Sequence, residues 1–483
     1  MVRKGLAKLT NTPENFKASI AFAFASIIHM GLQIITTPIY TRLLSTDEVG
    51  QVSVYLTWQR ILGICAMFCL SYGVFNNGML DFEKERDQYT LSMQTLSNLI
   101  TVVFGGIALL FYPYFRASIG ISTTLLLWMF IVFLLQPAMN FWTARQRYEY
   151  KYKAMTTVTI SMAFLSSVTT VLFISKNAFN EKTTARIFGT EMVMVAFYLF
   201  FYILNFVKAK GKIITKYWGY ALRFNIVLIP HYLSAYLLGH SNNIMIERMQ
   251  GDTQVALYSV AYTGASVAAV IWTSINVSLI PYTYEKCKKN DYASIAKITH
   301  PLLAIYAGLC IFVSLFAPEA VSILAPKEYS DSVYAFPALM IGVFFQSLYY
   351  VFANIVYYHK KPKYVMIASV VATILNIALN LLIIPRYGFI AAGYVTMICY
   401  ILQAVIDFLA MRKVVGHNVY NIKFVCILSF FMLLFSVFVR YIYPLTILRY
   451  LFIGSGIILC FAKRKNIIAL ITSVKKTEEE YSS

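Results

Sequence analysis

Charge is scarce in this sequence, and what there is leans one way. Only 13% of the 483 residues are Asp, Glu, Lys or Arg, and Lys and Arg outnumber Asp and Glu by 41 to 21. A water-soluble domain carries about a quarter of its residues charged, so a soluble globular chain is excluded. Several chemical signatures are also missing. There is no Walker motif, no His/Cys/Asp/Glu run at metal-ligand spacing and no nucleophile–base constellation. These absences argue against ATP-driven transport by this chain alone, against a metalloenzyme and against an enzyme generally. No connection is long enough for the outside loop of a membrane glycosyltransferase or polymerase. The seven cysteines (Cys65, Cys69, Cys287, Cys310, Cys399, Cys426 and Cys460) fall in apolar runs or basic loops, which leaves no disulfide framework. No cleavable signal sequence is expected either, because the first apolar run is too long for an h-region and lacks a small-x-small site after it.

Apolar runs are what the chain has in abundance. It is 59% hydrophobic with a mean hydropathy of +0.66. Runs of about 20 residues recur from end to end, each long enough to cross about 30 Å of hydrocarbon at 1.5 Å per residue. They do not alternate as barrel strands must, and lipid leaves a helix as the only other spanning element. The expected fold is an all-α polytopic membrane protein with spans at 18–40, 49–75, 89–112, 121–143, 154–174, 185–206, 219–245, 254–281, 293–316, 333–357, 363–384, 388–411, 422–443 and 446–462.

The net charge of +20 does not point to nucleic acid, because it sits in short loops on alternate sides of the membrane. With the N-terminus inside, inside loops hold thirty Lys and Arg and outside loops ten, with Arg60 alone deep in a span. That bias predicts cytoplasmic termini and an even number of spans.

The chain also restarts. At an offset of 206 residues, Arg42 meets Arg248, Val49 meets Val255, Ser53 meets Ser259 and Val54 meets Val260. The reading is two halves: a six-helix bundle over 1–217, a second over 218–415, and two further helices with a cytoplasmic tail over 416–483.

Within the spans, polar residues recur three or four apart and so share helix faces. Examples are Ser26, His29 and Gln33 in span 1, Ser53, Thr57 and Arg60 in span 2, His231 and Ser234 in span 7, Asn276 in span 8, and Asn376 and Asn380 in span 11. Two readings stay open. One is ordinary helix packing through hydroxyls and amides. The other is a water-filled cavity open to one side at a time, with Arg60, Ser53, Thr57, His29, Gln33, His231, Asn276, Asn376 and Asn380 as candidate substrate-binding residues. Arg60 is the strongest, since a mid-span cation costs roughly 2.5–3.5 kcal/mol on insertion scales and its planar fork suits phosphate. Glu191 and His231 are candidates for ion coupling, and Asp407 is expected at the inner interface. Pro38, Pro137, Pro230 and Pro281 mark candidate bends.

Four stretches carry a resemblance: TPIYTRLLSTDEVGQVSVY (37–55), ERMQGDTQVALYSVAY (247–262), FAPEAVSILAPKEYSDS (316–332) and LNIALNLLIIPRYGFIAAGYVT (375–396). The sequence resembles the polysaccharide-repeat-unit (O-antigen and capsule) flippases of the multidrug/oligosaccharidyl-lipid/polysaccharide exporter superfamily. The resemblance implies a MATE-like fold of fourteen transmembrane helices: two pseudo-symmetric six-helix bundles and two C-terminal helices. It also implies a substrate, undecaprenyl-pyrophosphate-linked oligosaccharide, carried by alternating access across the bacterial inner membrane in lipopolysaccharide or capsule synthesis. A proton or sodium gradient is the implied drive, with no bound cofactor, and the pathway's polymerase and chain-length proteins are implied partners. Three other readings stand beside it. Multidrug extruders of the superfamily commonly use an acidic residue in span 1, which has none here. Lipid II flippases hold several arginines in the first spans, where Arg60 stands alone. A non-transporting scaffold of an envelope assembly complex has no use for a mid-membrane cation.

Overall fold

The computed structural model describes residues 31–462, apart from 33, 72, 150 and 227. Most of the first expected span lies outside the described residues, and only 31–32 and 34–43 are seen, as its helical end. The helices that follow are α1 (Thr46–Ala66), α2 (Gly73–Asp81), α3 (Arg86–Ile119), α4 (Thr123–Tyr148), α5 (Tyr152–Ser175), α6 (Lys182–Lys208), α7 (Lys216–Asn225) and α8 (Ile229–Gln250). The rest are α9 (Asp252–Lys288), α10 (Tyr292–Leu315), α11 (Ala317–Leu324), α12 (Phe336–Tyr358), α13 (Pro362–Val415), α14 (Ile422–Ile442) and α15 (Thr446–Ala462), with a 3₁₀ stretch at Lys327–Tyr334. No strand occurs among the described residues.

Among the described residues, nine helices are long and apolar enough to cross a membrane, or ten with α7 and α8 as one bent span. The 54-residue α13 holds two expected spans, pivoting at Gly388 (φ 70°, ψ −164°), a conformation that side chains other than glycine's rarely tolerate. The fourteen-span reading is consistent with these elements. Large apolar side chains such as Leu110 (71% exposed) and Ile427 (71%) cover the outside, as a chain solvated by lipid requires.

The chain divides into two compact units, the second starting at Leu237, within α8, where the sequence places the restart near residue 218. In the first unit, α1 begins on a capping box: Ser45 Oγ accepts from Glu48 N at 3.2 Å and Glu48 Oε2 accepts from Ser45 N at 2.7 Å. That accounts for the S-T-D-E run of the first turn. α2, α3, α4 and α7 close on an aromatic cluster in which Phe75 packs on Phe141 (4.8 Å) and Tyr89 on Tyr217 (5.2 Å). α5 and α6 approach at Gly189, where a Cβ would stand 2.6 Å from the Thr170 Cα, and a Thr170–Thr190 hydroxyl bond of 2.9 Å joins them there.

The second span departs from expectation. The sequence predicts an unbroken run over 49–75, but α1 stops at Ala66 and the chain resumes helix at Gly73. Phe68 (φ 57°) and Cys69 (φ 51°) sit in the left-handed region. Such a break orphans carbonyls inside the membrane. Neighbouring helices supply donors: Thr101 Oγ1 to the Ala66 carbonyl (3.0 Å), Ser97 Oγ to Met67 (3.3 Å) and Asn225 Nδ2 to Phe68 (2.8 Å). Asn225 itself ends α7, at the break before α8, so one amide serves the interruption of span 2 from the interruption of span 7.

In the second unit, α12 packs along α13 and α9. The last two helices are tied on by the Arg449–Glu319 ion pair, by Tyr443 Oη donating to the Ser314 carbonyl (3.0 Å) and by Tyr394 Oη donating to the Ser436 carbonyl (3.1 Å).

At the ends of α3 and α4, Arg145 bridges Asp87 (2.5 Å) and Glu149 (2.7 Å), and Lys151 meets Glu149 at 2.6 Å. Partial burial by itself would raise the Glu149 carboxyl, but hydrogen bonds and charge from Lys151 and Arg145 hold it below the usual 4.5. Its stabilising contribution is therefore present above pH 4.5 and lost as pH falls through the lower folded-state value. Glu149→Gln is expected to flatten the acid limb of a thermal-stability profile below about pH 4 while changing little at pH 8, relative to wild type. Asn225→Ala, which leaves the half-buried Phe68 carbonyl without its donor, is expected to lower stability by about 1–3 kcal/mol in a thermal melt of purified protein.

Candidate functional site

The first unit holds a buried acid. Glu191 on α6 is 4% exposed, and its two carboxylate oxygens accept from α1: Tyr55 Oη at 3.0 Å and Gln59 Nε2 at 2.7 Å. Thr183 Oγ1 donates to Gln51 Oε1 at 3.0 Å on the same seam. Gln51, Tyr55 and Gln59 are spaced by four, so one face of α1 carries this polar contact with α6. The spacing is visible in the sequence, yet the stripe that reads as exceptional there is a different one.

The stripe of Ser53, Thr57 and Arg60 occupies another face. Ser53 Oγ donates to its own helix at Val49 O (2.9 Å), and the buried Thr57 Oγ1 donates to Ser53 O (2.8 Å). Arg60 is exposed. Among the described residues no carboxylate lies within ion-pair distance of it, and the buried Tyr198 of α6 lies within reach of its charge. It does not pair with Glu191, whose oxygens are taken by Tyr55 and Gln59. Because α1 ends at Ala66, Arg60 stands in its second-to-last turn rather than mid-span, which corrects the depth expected from a span over 49–75. His29 and Gln33 lie outside the described residues. His231 is half-buried in the first turn of α8, its Nδ1 without a partner among the described residues and its ring 5.8 Å from that of Tyr232.

The second unit brings the asparagines together. Asn380 Nδ2 donates to Asn242 Oδ1 (2.7 Å) and to Asn376 Oδ1 (3.0 Å), and Ser241 Oγ donates to Asn376 Oδ1 (3.2 Å). Asn242 Nδ2 donates to Thr396 Oγ1 (2.7 Å) and Tyr258 Oη (2.5 Å). Asn242, Asn376 and Asn380 are 0% exposed. The network ties α8, α9 and both halves of α13 in one layer. A second amide pair, Asn354 Nδ2 to Asn276 Oδ1 (2.8 Å), links α12 to α9. In this conformation these amides are spent on one another rather than on an open surface. Asn242 is not among the sequence candidates, and its signal is the pair of amides Asn242 and Asn243 before the end of span 7. No cluster of three or more His, Cys, Asp or Glu suited to a metal ion occurs among the described residues.

Asp407 is another departure. Expected at the inner interface, it is 0% exposed, and neither carboxylate oxygen has a partner among the described residues. The second half of α13 packs this face against α12 rather than presenting it to headgroups.

Two units of long apolar helices, each with a buried polar layer, define a multi-span membrane protein. The solved structures agree: a lipid II flippase MurJ in an inward closed conformation aligns with TM-score 0.63 and 14% identity over 94% of this chain and 100% of that one. An inward-facing multidrug resistance MATE family transporter of the MOP superfamily aligns with TM-score 0.59 and 12% identity over 81% of this chain and 94% of that one. The chain belongs to the polysaccharide biosynthesis protein family, whose model matches residues 16–286; the MatE model matches 228–382. A protein of the Lsg locus of Haemophilus influenzae is similar at 22% identity over 380 residues, 75% of this chain and 90% of that protein.

If the Asn242–Asn380 bond binds the layer together, the two positions are energetically coupled. A double-mutant cycle of Asn242→Leu and Asn380→Leu, read by thermal unfolding in detergent, is expected to return a coupling of about 0.6–1.7 kcal/mol, the range of interhelical hydrogen bonds in membranes.

Proposed function

We propose that this chain flips undecaprenyl-pyrophosphate-linked oligosaccharide repeat units from the inner to the outer leaflet of the bacterial inner membrane by alternating access. Membership of the polysaccharide biosynthesis family and a transporter fold support the class of substrate and the kind of movement. The observation that carries the assignment to a pyrophosphate carrier is Arg60: a guanidinium exposed on α1, with the neighbouring acid already held by other donors. A cation left in that state is available for an anionic ligand, and its fork bonds two phosphate oxygens at once. At low local dielectric the attraction is large enough to hold a diphosphate against hydration.

The sugars enter with the diphosphate, while the polyprenyl tail stays in lipid. A proton or sodium gradient resets the cycle, with Glu191 and His231 as coupling candidates in the first unit. The lipid II flippase and the multidrug extruder share this fold. Identities of 14% and 12% leave the substrate to the site, where a single described arginine in the early spans favours the oligosaccharide carrier.

Deletion of the gene in its native strain is expected to accumulate lipid-linked oligosaccharide on the inner leaflet and abolish surface polysaccharide. Arg60→Ala, made at wild-type levels, is expected to slow export about tenfold to a hundredfold, the loss of one charge-assisted contact of about 1.5–3 kcal/mol, with partial recovery in Arg60→Lys. Wild-type export by Arg60→Ala sinks the role of that residue. Export of a soluble drug by purified protein, with lipid-linked sugar unaffected, replaces the flippase reading by the extruder.

A further inference from the structure

Of the described carboxylates, two are buried to below a tenth of their surface: Glu191 and Asp407. They are handled in opposite ways. Glu191 receives two hydrogen bonds from α1. Among the described residues Asp407 receives none, on either oxygen, at 0% exposure. A carboxylate closed off from bulk solvent and without a donor among the described residues is far less stable as an ion than as the neutral acid.

The groups packed around Asp407 do not relieve this. α12 contains no Asp, Glu, Lys, Arg or His; its titratable groups are Tyr349, Tyr350, Tyr357 and Tyr358, of which Tyr349 lies within reach of the Asp407 charge. α9 carries its acids and bases at its ends, Asp252 at one and Glu285, Lys286 and Lys288 at the other, and there Glu285 pairs with Lys289 and Lys286 with Asp291. On α13 itself, whose two halves run back past each other so that Gln403 Nε2 donates to Ser369 Oγ at 3.1 Å, Arg386 stands near the pivot at the far end, Lys363 and Arg412 near this end are exposed, and Lys413 lies over the Tyr364 ring at 5.4 Å.

We infer that Asp407 is a proton-binding site, loaded in this conformation and emptied only when the second unit opens to water around it. Loading forms an O–H bond on one carboxyl oxygen with a proton from water. Emptying breaks that bond, passes the proton to a water molecule that has entered, and leaves a hydrated carboxylate. Protonation and closure of the unit are thereby one event, because the closed packing around Asp407 accepts only the neutral acid. If the transport reading above holds, Asp407 adds a proton site in the second unit to the coupling candidates Glu191 and His231 of the first.

The test is infrared spectroscopy of the full-length protein in lipid at neutral pH. Wild type is expected to show the carbonyl stretch of a protonated carboxylic acid, Asp407→Asn to lose that component, and Asp407→Glu to shift it. Glu191→Gln serves as the control for the other buried acid. Should Asp407→Asn not fold, the Asp407→Glu shift alone decides. An unchanged band in both Asp407 variants, or no protonated-acid band in wild type, overturns the proposal. The experiment needs no substrate. If lipid-linked oligosaccharide proves not to be moved, the flippase reading falls while the spectrum still decides the state of Asp407.

Discussion

Hydrocarbon offers a polar group no partner, and the rest of this structure follows from that constraint. Every N–H, carbonyl, hydroxyl and amide placed at membrane depth must find its counterpart inside the protein. Ser53 and Thr57 answer it locally, returning their hydroxyls to their own helix. Tyr55 and Gln59 answer it across a helix pair, placing two donors on the one acid of α6. The asparagines of α8 and α13 answer it collectively, as a shared layer in which amides serve two neighbours at once.

The same constraint makes the departures from regular helix informative. A break within a span is tolerated only where its carbonyls are served, and at residues 66–68 three separate side chains from α3 and α7 do so. The interruption of span 2 is thus built from outside, by helices distant in sequence, and Asn225 makes it depend on the interruption of span 7. Asp407 is the place where the demand is met by a proton rather than by a neighbour, and Arg60 is where it is left to exposure. These two positions have least to do with holding the fold together and most capacity to respond to something that arrives.

Much of this was legible in the sequence because it depends on one-dimensional quantities. Span positions follow from apolar length, which lipid thickness sets, and the expected ends of α4, α5, α14 and α15 fall within a few residues of the observed ones. The cap at Ser45 and Glu48 is a three-residue spacing. Gly388 is legible as a glycine beside a proline-bearing turn. The break after Ala66 had no such mark: Ala66 to Ser71 contains neither glycine nor proline, and the left-handed residues are Phe68 and Cys69. Local preference favours continuing that helix, and only donors from Ser97, Thr101 and Asn225 make stopping it acceptable.

The division is sharpest at the candidate sites. The sequence alone singled out Arg60, Glu191, Asn276, Asn376 and Asn380, because insertion penalises them wherever they point, while it placed Asp407 at the inner interface and passed over Asn242. It could not determine what they face, because periodicity places a residue on a helix face without naming the helix opposite. The tertiary structure decided that Glu191 is satisfied and Asp407 is not, that Asn376 and Asn380 bond to each other and to α8, and that Arg60 remains uncommitted. The physical reason is that burial and partnership are properties of pairs of helices, and the pairing is set by packing rather than by the order of residues along any one of them.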